Sequence, residues 1–123
     1  MPINDHTVLW VVQVTESADR DVGEAVDYFL DIEEYDAADD FLNQFEAVKQ
    51  RLEELPERGH VPEEFKKIDV LTYREVHFGK FRLIFHVEKA LRSVFVDAVL
   101  HGKRNVERIL KERLIRLPSD PGS

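Results

Sequence analysis

The spacing of hydrophobic residues changes at residues 55–59, and this change limits the folds open to the chain. Before it, hydrophobic side chains recur every three or four residues, which predicts two amphipathic helices. After residue 70, three runs alternate hydrophobic and polar side chains, which predicts strands. The sequence LPERG at residues 55–59 separates the two patterns, because its proline and glycine end a helix.

The remaining segments complete the predicted order β-α-α-β-β-β-α. Residues 7–14 are rich in β-branched side chains and predict a first strand, and Thr15 is expected to cap the helix that follows. A last amphipathic helix follows residue 105. The short link between the first two helices predicts an antiparallel hairpin. We therefore expect an α+β fold, with an N-terminal strand, the helical hairpin packed on a small antiparallel sheet, and a C-terminal helix. Residues 60–69 are expected to form a loop.

A chain of 123 residues has room for one domain, spanning residues 1–123. We expect its core at about residues 7–116 and a flexible tail at 117–123. Strict alternation along the last predicted strand would place one set of side chains on a common face: Val94, Val96, Ala98 and Leu100.

The residue content excludes several kinds of site. The chain has no cysteine, which rules out disulfides, thiolate catalysis and iron–sulfur clusters. Its five histidines are scattered without a metal-ligand spacing, and no phosphate-binding glycine motif occurs. We therefore expect no cofactor and no metal. The first residues lack a basic segment, and no apolar run is long enough for a membrane span, so a cytoplasmic location is expected.

The net charge of −8 is divided unevenly. Residues 1–69 hold 6 basic and 19 acidic residues, whereas residues 70–123 hold 11 basic and 6 acidic ones. Two surfaces of opposite charge are predicted, which need not contact the same partner. The acidic helices could equally serve only to keep the protein soluble.

Three sequence blocks resemble the RelE/ParE superfamily of bacterial type II toxins, closer to its ParE-like branch. The first is a helix in which Ala18 and Asp21 precede VDYF at 26–29, and the second is LPERG at 55–59. The third and most specific is a set of strand motifs: YREV at 73–76, FRLIF at 81–85 and VLHGKR at 99–104. The resemblance covers about residues 8–115 and implies the same α+β fold.

The resemblance implies two possible activities. RelE-like members cut messenger RNA on the ribosome, and ParE-like members poison DNA gyrase. Nuclease chemistry needs an acid, a base and cations at the scissile phosphate. By resemblance, Arg82 and Arg104 match the phosphate-binding arginines and Arg74 falls on a lysine, but Val76 and Leu110 fall on a second lysine and a tyrosine. His101 could replace a proton-transfer group.

Five residues are candidates for binding the target or an antitoxin: Arg74, Arg82, His101, Lys103 and Arg104. Arg74 and Arg82 lie on adjacent predicted strands and could share one face as an anion-binding patch. They could equally pair with Glu75 or with the acidic helices. Arg104 could hold a phosphate or carboxylate, or serve as a helix cap or a solvated side chain. If the chain is a nuclease, Arg82, Arg104 and His101 are the catalytic candidates.

The predicted function is a type II toxin that binds DNA gyrase without an enzymatic activity of its own and is neutralised by a cognate antitoxin. The apolar Val76 and Leu110 and the acidic net charge favour this hypothesis, since a negative protein is poorly attracted to ribosomal RNA. A ribosome-dependent mRNA endoribonuclease is the alternative, with the ribosome and mRNA as partners. A third possibility is a domain of this family that has lost its toxicity.

Overall fold

The computed structural model describes residues 8–102 and 104–115 and has the predicted order of elements, with a short helix at Glu63–Lys66 and a 3₁₀ turn at Lys89–Leu91 in addition. The strands are β1 (Val11–Val14), β2 (Tyr73–Phe78), β3 (Phe81–Glu88) and β4 (Ser93–His101). The helices are α1 (Glu16–Asp31), α2 (Tyr35–Glu54), α3 (Glu63–Lys66) and α4 (Val106–Leu110), and a π-helical turn follows at Lys111–Ile115. The predicted tail at 117–123 lies outside the described residues.

The four strands form one sheet in the order β1-β4-β3-β2. Strands β2, β3 and β4 are antiparallel, as predicted, and the turn between β2 and β3 is Gly79-Lys80. Strand β1 joins the edge of β4 in parallel, with Val11 opposite Ser93. The sheet is therefore mixed. Between β1 and β4 the chain forms the helical hairpin and then β2 and β3, and β4 returns beside β1 in the same direction.

Helices α1 and α2 cover one face of the sheet and enclose the larger core. Thr15 caps α1, since its hydroxyl accepts a hydrogen bond from the Ala18 amide, as its position before the helix predicted. The core between hairpin and sheet contains side chains from both layers: Ala18, Val22, Phe41, Phe45, Val48, Leu52, Phe78, Leu83, Phe85, Val94, Val96 and Val99. The predicted packing of the hairpin on the sheet is confirmed.

The opposite face of the sheet is covered by α3 and α4. Phe65 of α3 is fully buried there and packs in a second, smaller cluster with Ile84, Leu100 and Leu110. The expected loop at residues 60–69 thus contains a helix. One helical turn is too short to show a repeating pattern of hydrophobic residues, which is why the sequence did not predict it.

A register shift interrupts the pairing of β3 with β4. Ile84 lies opposite Ala98, but Phe85 lies opposite Val96, so Asp97 is an extra residue on β4. Beyond this bulge the two faces of β4 exchange: Val99 joins the hairpin core, whereas Ala98 and Leu100 join the second cluster. The prediction that Val94, Val96, Ala98 and Leu100 share a face is wrong, because alternation holds only within an unbroken register.

Asp21 of α1 links three elements. Its carboxylate, 4% exposed, accepts a hydrogen bond from the Val99 amide of β4 at 2.9 Å. Arg113 donates two more, at 2.6 and 2.7 Å. Hydrogen bonding to Asp21 raises the pKa of the Arg113 guanidinium further, although burial lowers it. The first helix, the last strand and the C-terminal segment are therefore held by one buried carboxylate.

We expect Asp21→Ala to lower the free energy of unfolding by about 3–5 kcal/mol, because it leaves the Val99 amide and the Arg113 guanidinium unpaired. Asp21→Asn should lose less, since it keeps an acceptor for the amide. Urea denaturation measures both, and Asp27→Ala, an exposed position on the same helix, is the control. Equal stabilities for the Asp21→Ala and Asp27→Ala proteins would contradict the assigned role.

His86 should make stability depend on pH. Its Nδ1 lies 2.6 Å from Asp97 Oδ2, and this hydrogen bond raises the pKa of His86 above its usual 6.5 despite partial burial. A raised histidine pKa stabilises the fold below pH 6.5, and the stabilisation is lost as the pH rises through the folded-state pKa. Burial also raises the pKa of Asp97, which acts in the same direction at lower pH.

We therefore expect the free energy of unfolding to fall between pH 6.5 and 8.5 in the wild type and to change less in His86→Gln. Chemical denaturation at several pH values measures this slope. A wild-type slope in His86→Gln would contradict the assignment.

Candidate functional site

The sequence candidates lie near the end of the sheet where β2 turns into β3 and β4 ends. The Gly102 amide donates to the Lys80 carbonyl at 2.9 Å, which holds the end of β4 against the β2–β3 turn. Two open clefts flank this point on opposite sides of the sheet. One, of about 490 Å³, is lined by Arg82, and the other, of about 510 Å³, is lined by His101.

Arg82 is held in an ion-pair network. It binds both oxygens of Glu64 at 2.8 Å, and its Nε donates to Glu75 Oε1 at 2.7 Å. Its side chain is only 14% exposed and that of Glu75 is 4% exposed. The bonds to Glu64 raise the pKa of Arg82 further, and Arg82 in turn lowers the pKa of Glu64. Of the two interpretations of Arg82, pairing with Glu75 is the one the structure shows.

Two histidines extend the network around Glu75. His60 Nε2 lies 3.1 Å from Glu75 Oε2, and His77 Nε2 lies 3.2 Å from Glu75 Oε1. His60 is positioned by a backbone bridge to β2, in which the amides of His60 and Glu75 each donate to the other's carbonyl. His77 stands two residues beyond Glu75 on the same face of β2.

Arg74 does not share a face with Arg82. In the β2–β3 register Arg74 pairs with Phe85 and alternates with Val76, on the hairpin side of the sheet, whereas Arg82 pairs with His77 on the other side. Arg74 donates to the backbone carbonyls of Arg58 and Gly59. The expected shared patch is wrong, and within the described residues Arg74 serves to hold the segment after α2.

His101 lies at the end of β4 on the hairpin side. Its ring centroid is 5.5 Å from that of Phe81, with which it pairs in the sheet. Both residues line the second cleft, an apolar groove that also contacts Phe29, Phe41 and the partly exposed Ile32. Arg82 and His101 therefore occupy opposite sides of the sheet, and His101 has an aromatic environment.

Arg104 follows in the turn after β4. Its backbone amide donates to the His101 carbonyl at 3.0 Å, and the residue is exposed. Its side chain makes no hydrogen bond or ion pair with any residue in the described ranges 8–102 and 104–115. Lys103, the remaining candidate, lies outside the described residues.

Val76 and Leu110, the two positions that the resemblance matches to proton-transfer groups, lie in apolar surroundings. Val76 packs against the hairpin core, and Leu110 is fully buried in the second cluster. Neither side chain faces the cleft that contains Arg82.

The sequence analysis missed Glu64, His60 and His77 as neighbours of Arg82. The pattern E-x-H at 75–77, on a predicted strand, was a signal that two polar side chains share a face. Nothing comparable marks Glu64 and His60, which reach the site through a short helix and an isolated backbone bridge.

We expect Arg82→Ala to destabilise the protein by about 3 kcal/mol, because it leaves the buried Glu75 carboxylate without its cation. Arg104→Ala should remain within about 0.5 kcal/mol of the parent. Thermal and urea unfolding of the two proteins measure the difference, and equal melting of both would contradict the assigned role of Arg82.

Comparison with known proteins agrees with the resemblance found in the sequence. The model of a family described as "ParE toxin of type II toxin-antitoxin system, parDE" matches residues 12–106. A search of the curated proteins gave no match. Among solved structures, the toxin–antitoxin complex RelBE2 from Mycobacterium tuberculosis contains a chain with a TM-score of 0.54 and 18% identity. The match covers 76% of this chain and 92% of that one, and it concerns the fold alone. Because the family model spans most of the sequence, the chain belongs to the ParE toxin family of type II toxin–antitoxin systems.

Proposed function

We propose that this toxin acts by binding DNA gyrase and that a cognate antitoxin neutralises it by binding the toxin. The observation that carries the proposal is the state of Arg82, whose charge is taken up by Glu64 and Glu75. An arginine bound to two carboxylates is a poor partner for a scissile phosphate, since RNA would have to displace both. The family match supports a type II toxin, and gyrase as its target rests on the resemblance to the ParE-like branch.

Messenger RNA cleavage, the alternative activity, would need a general acid and a general base. The two positions that the resemblance matches to such groups carry apolar side chains here. Leu110 is a core residue and Val76 is a partly buried residue that packs against the core, so a lysine and a tyrosine at these positions would place polar groups against apolar surroundings. The net charge of −8 further weakens attraction to ribosomal RNA. Both observations favour inhibition by contact with a protein.

The end of the sheet offers a surface suited to such contact. The apolar groove at His101 and Phe81 adjoins Lys80, and the exposed Arg104 follows in the next turn. Exposed apolar surface beside a cation is typical of protein–protein interfaces, where arginine is enriched. Glu34 and Asp40 also line the groove, so a partner segment would place apolar side chains in the groove and its acidic side chains beside Lys80 and Arg104.

The antitoxin and the location complete the proposal. The similar chain comes from a toxin–antitoxin complex, which supports an antitoxin partner and a hetero-oligomer for this chain as well. No helix in the described part of the chain is long and apolar enough to cross a membrane. A cytoplasmic protein would meet both partners, and no cofactor is required for inhibition by contact.

Ribosome-dependent mRNA cleavage remains the second candidate because of one specific observation. His60 and His77 lie beside Glu75 and Arg82 in the open cleft, and two imidazoles could serve as general acid and base. In that case the acid–base groups would differ from those of the matched RelE-type positions.

The two activities are separated by paired assays. With purified gyrase, we expect the toxin to inhibit supercoiling or to trap cleaved DNA. Primer extension on cellular mRNA after induction should show no codon-spaced cuts. Arg104→Ala should require about tenfold more protein for the same inhibition, as expected for an interface arginine. Arg108→Ala, another exposed arginine, is the matched control.

Three other results of these assays would contradict the proposal. Codon-spaced cleavage with gyrase unaffected would overturn the proposal in favour of the endoribonuclease. Full inhibition by Arg104→Ala would show that the contact does not use this end of the sheet. Normal growth on expression of the folded chain alone, with neither activity, would identify a domain without toxicity.

A further inference from the structure

Three possible metal ligands converge on the face of the sheet that carries Arg82. His60, Glu75 and His77 each offer one donor atom, and these atoms lie within 4.8 Å of one another. We propose that the three residues bind one divalent transition-metal ion of the zinc type. Two imidazoles and one carboxylate are a donor set that Zn²⁺ accepts, with further positions left for water.

The backbone already brings two of the ligands together. The amides of His60 and Glu75 donate to each other's carbonyls at 3.1 and 2.7 Å. Gly59 permits this close approach: its φ is +84°, and a Cβ there would clash with the Glu75 carbonyl oxygen. Main-chain geometry therefore holds the two ligand residues next to each other.

The side chains can adjust to the ion. The His60 and His77 side chains are 61% and 57% exposed, so their rings can rotate at little cost. Both Nε2 atoms already point at the Glu75 carboxylate, at 3.1 and 3.2 Å. An ion at the usual ligand distances of about 2.0–2.2 Å would replace these two hydrogen bonds with metal bonds.

Arg82 and Glu64 set the charge beside the proposed metal site. Arg82 lies against Glu75 and would repel an ion, but Glu64 binds Arg82 through both of its oxygens. The group of Arg82, Glu64 and Glu75 thus carries a net charge of −1 while the histidines are neutral. Arg82 also fixes the orientation of the Glu75 carboxylate, as hydrogen-bonded neighbours of metal ligands commonly do.

The cleft beside the cluster, about 490 Å³, leaves the outer side of the ion open. Water or a partner's side chain could complete its coordination. Within the toxin itself, the ion would join the segment that follows α2 to strand β2, and it would therefore stabilise the folded state by binding.

Calorimetric titration of the chelator-treated, tag-free protein with Zn²⁺ tests the proposal. We expect one ion per chain, and a melting temperature raised by about 3–8 °C when Zn²⁺ is in large excess over its dissociation constant. His60→Ala and His77→Ala should each weaken the affinity at least about tenfold. With Co²⁺ as a second probe, visible absorption typical of nitrogen–oxygen coordination should appear and be lost in both variants.

His101→Ala is the matched control, because it removes a histidine outside the cluster, and it should bind Zn²⁺ as the parent does. Circular dichroism of each metal-free variant shows whether it folds. Absence of binding, or binding that both cluster variants retain, would overturn the proposal. Binding is read without gyrase or RNA, so either result leaves the proposed function to its own test.

Discussion

The arrangement of this fold depends on a carboxylate in its first helix. Asp21 is buried, and its partners come from β4 and from the C-terminal segment, 78 and 92 residues further along the chain. A buried charge is tolerated only where its hydrogen bonds are satisfied, so the three elements must meet in one geometry. The Val99 amide that binds Asp21 lies two residues beyond the bulge at Asp97, in the part of β4 that continues past the end of β1.

Periodicity in the sequence was sufficient to predict the helical hairpin, the three antiparallel strands and the cap at Thr15, because each depends on neighbours within a few residues. The resemblance had drawn attention to Asp21 as part of a motif without giving its role. The parallel pairing of β1, the bulge at Asp97 and helix α3 were not predicted. The parallel pairing and the bulge depend on residues that are distant in sequence, whereas α3 is a single helical turn, too short to show a repeating pattern.

In the candidate site, too, the sequence predicted some features, and others depend on residues that are distant along the chain. Charge counting located the basic half of the chain, but it could not say which arginines have internal partners. Arg82 is neutralised by Glu64 and Glu75, Arg74 binds backbone carbonyls, and Arg104 is exposed. Arg74 and Arg82 each follow an aromatic residue in a predicted strand, and what separates these two is strand register and the short helix that carries Glu64. A surface potential inferred from composition therefore overstates the charge that a partner of this toxin would meet.

The pairing of β1 with β4 also affects how the protein is made. Val11 lies opposite Ser93, so the sheet gains its fourth strand only when most of the chain is available. Contacts between residues this far apart form late and slow the folding of a domain. During synthesis, β1 and the helical hairpin emerge before β4, and Arg113 reaches Asp21 only after the residues between them have left the ribosome. A chain cut short before β4 would lack the strand that joins β1 to β3, and its helices would pack on an incomplete sheet.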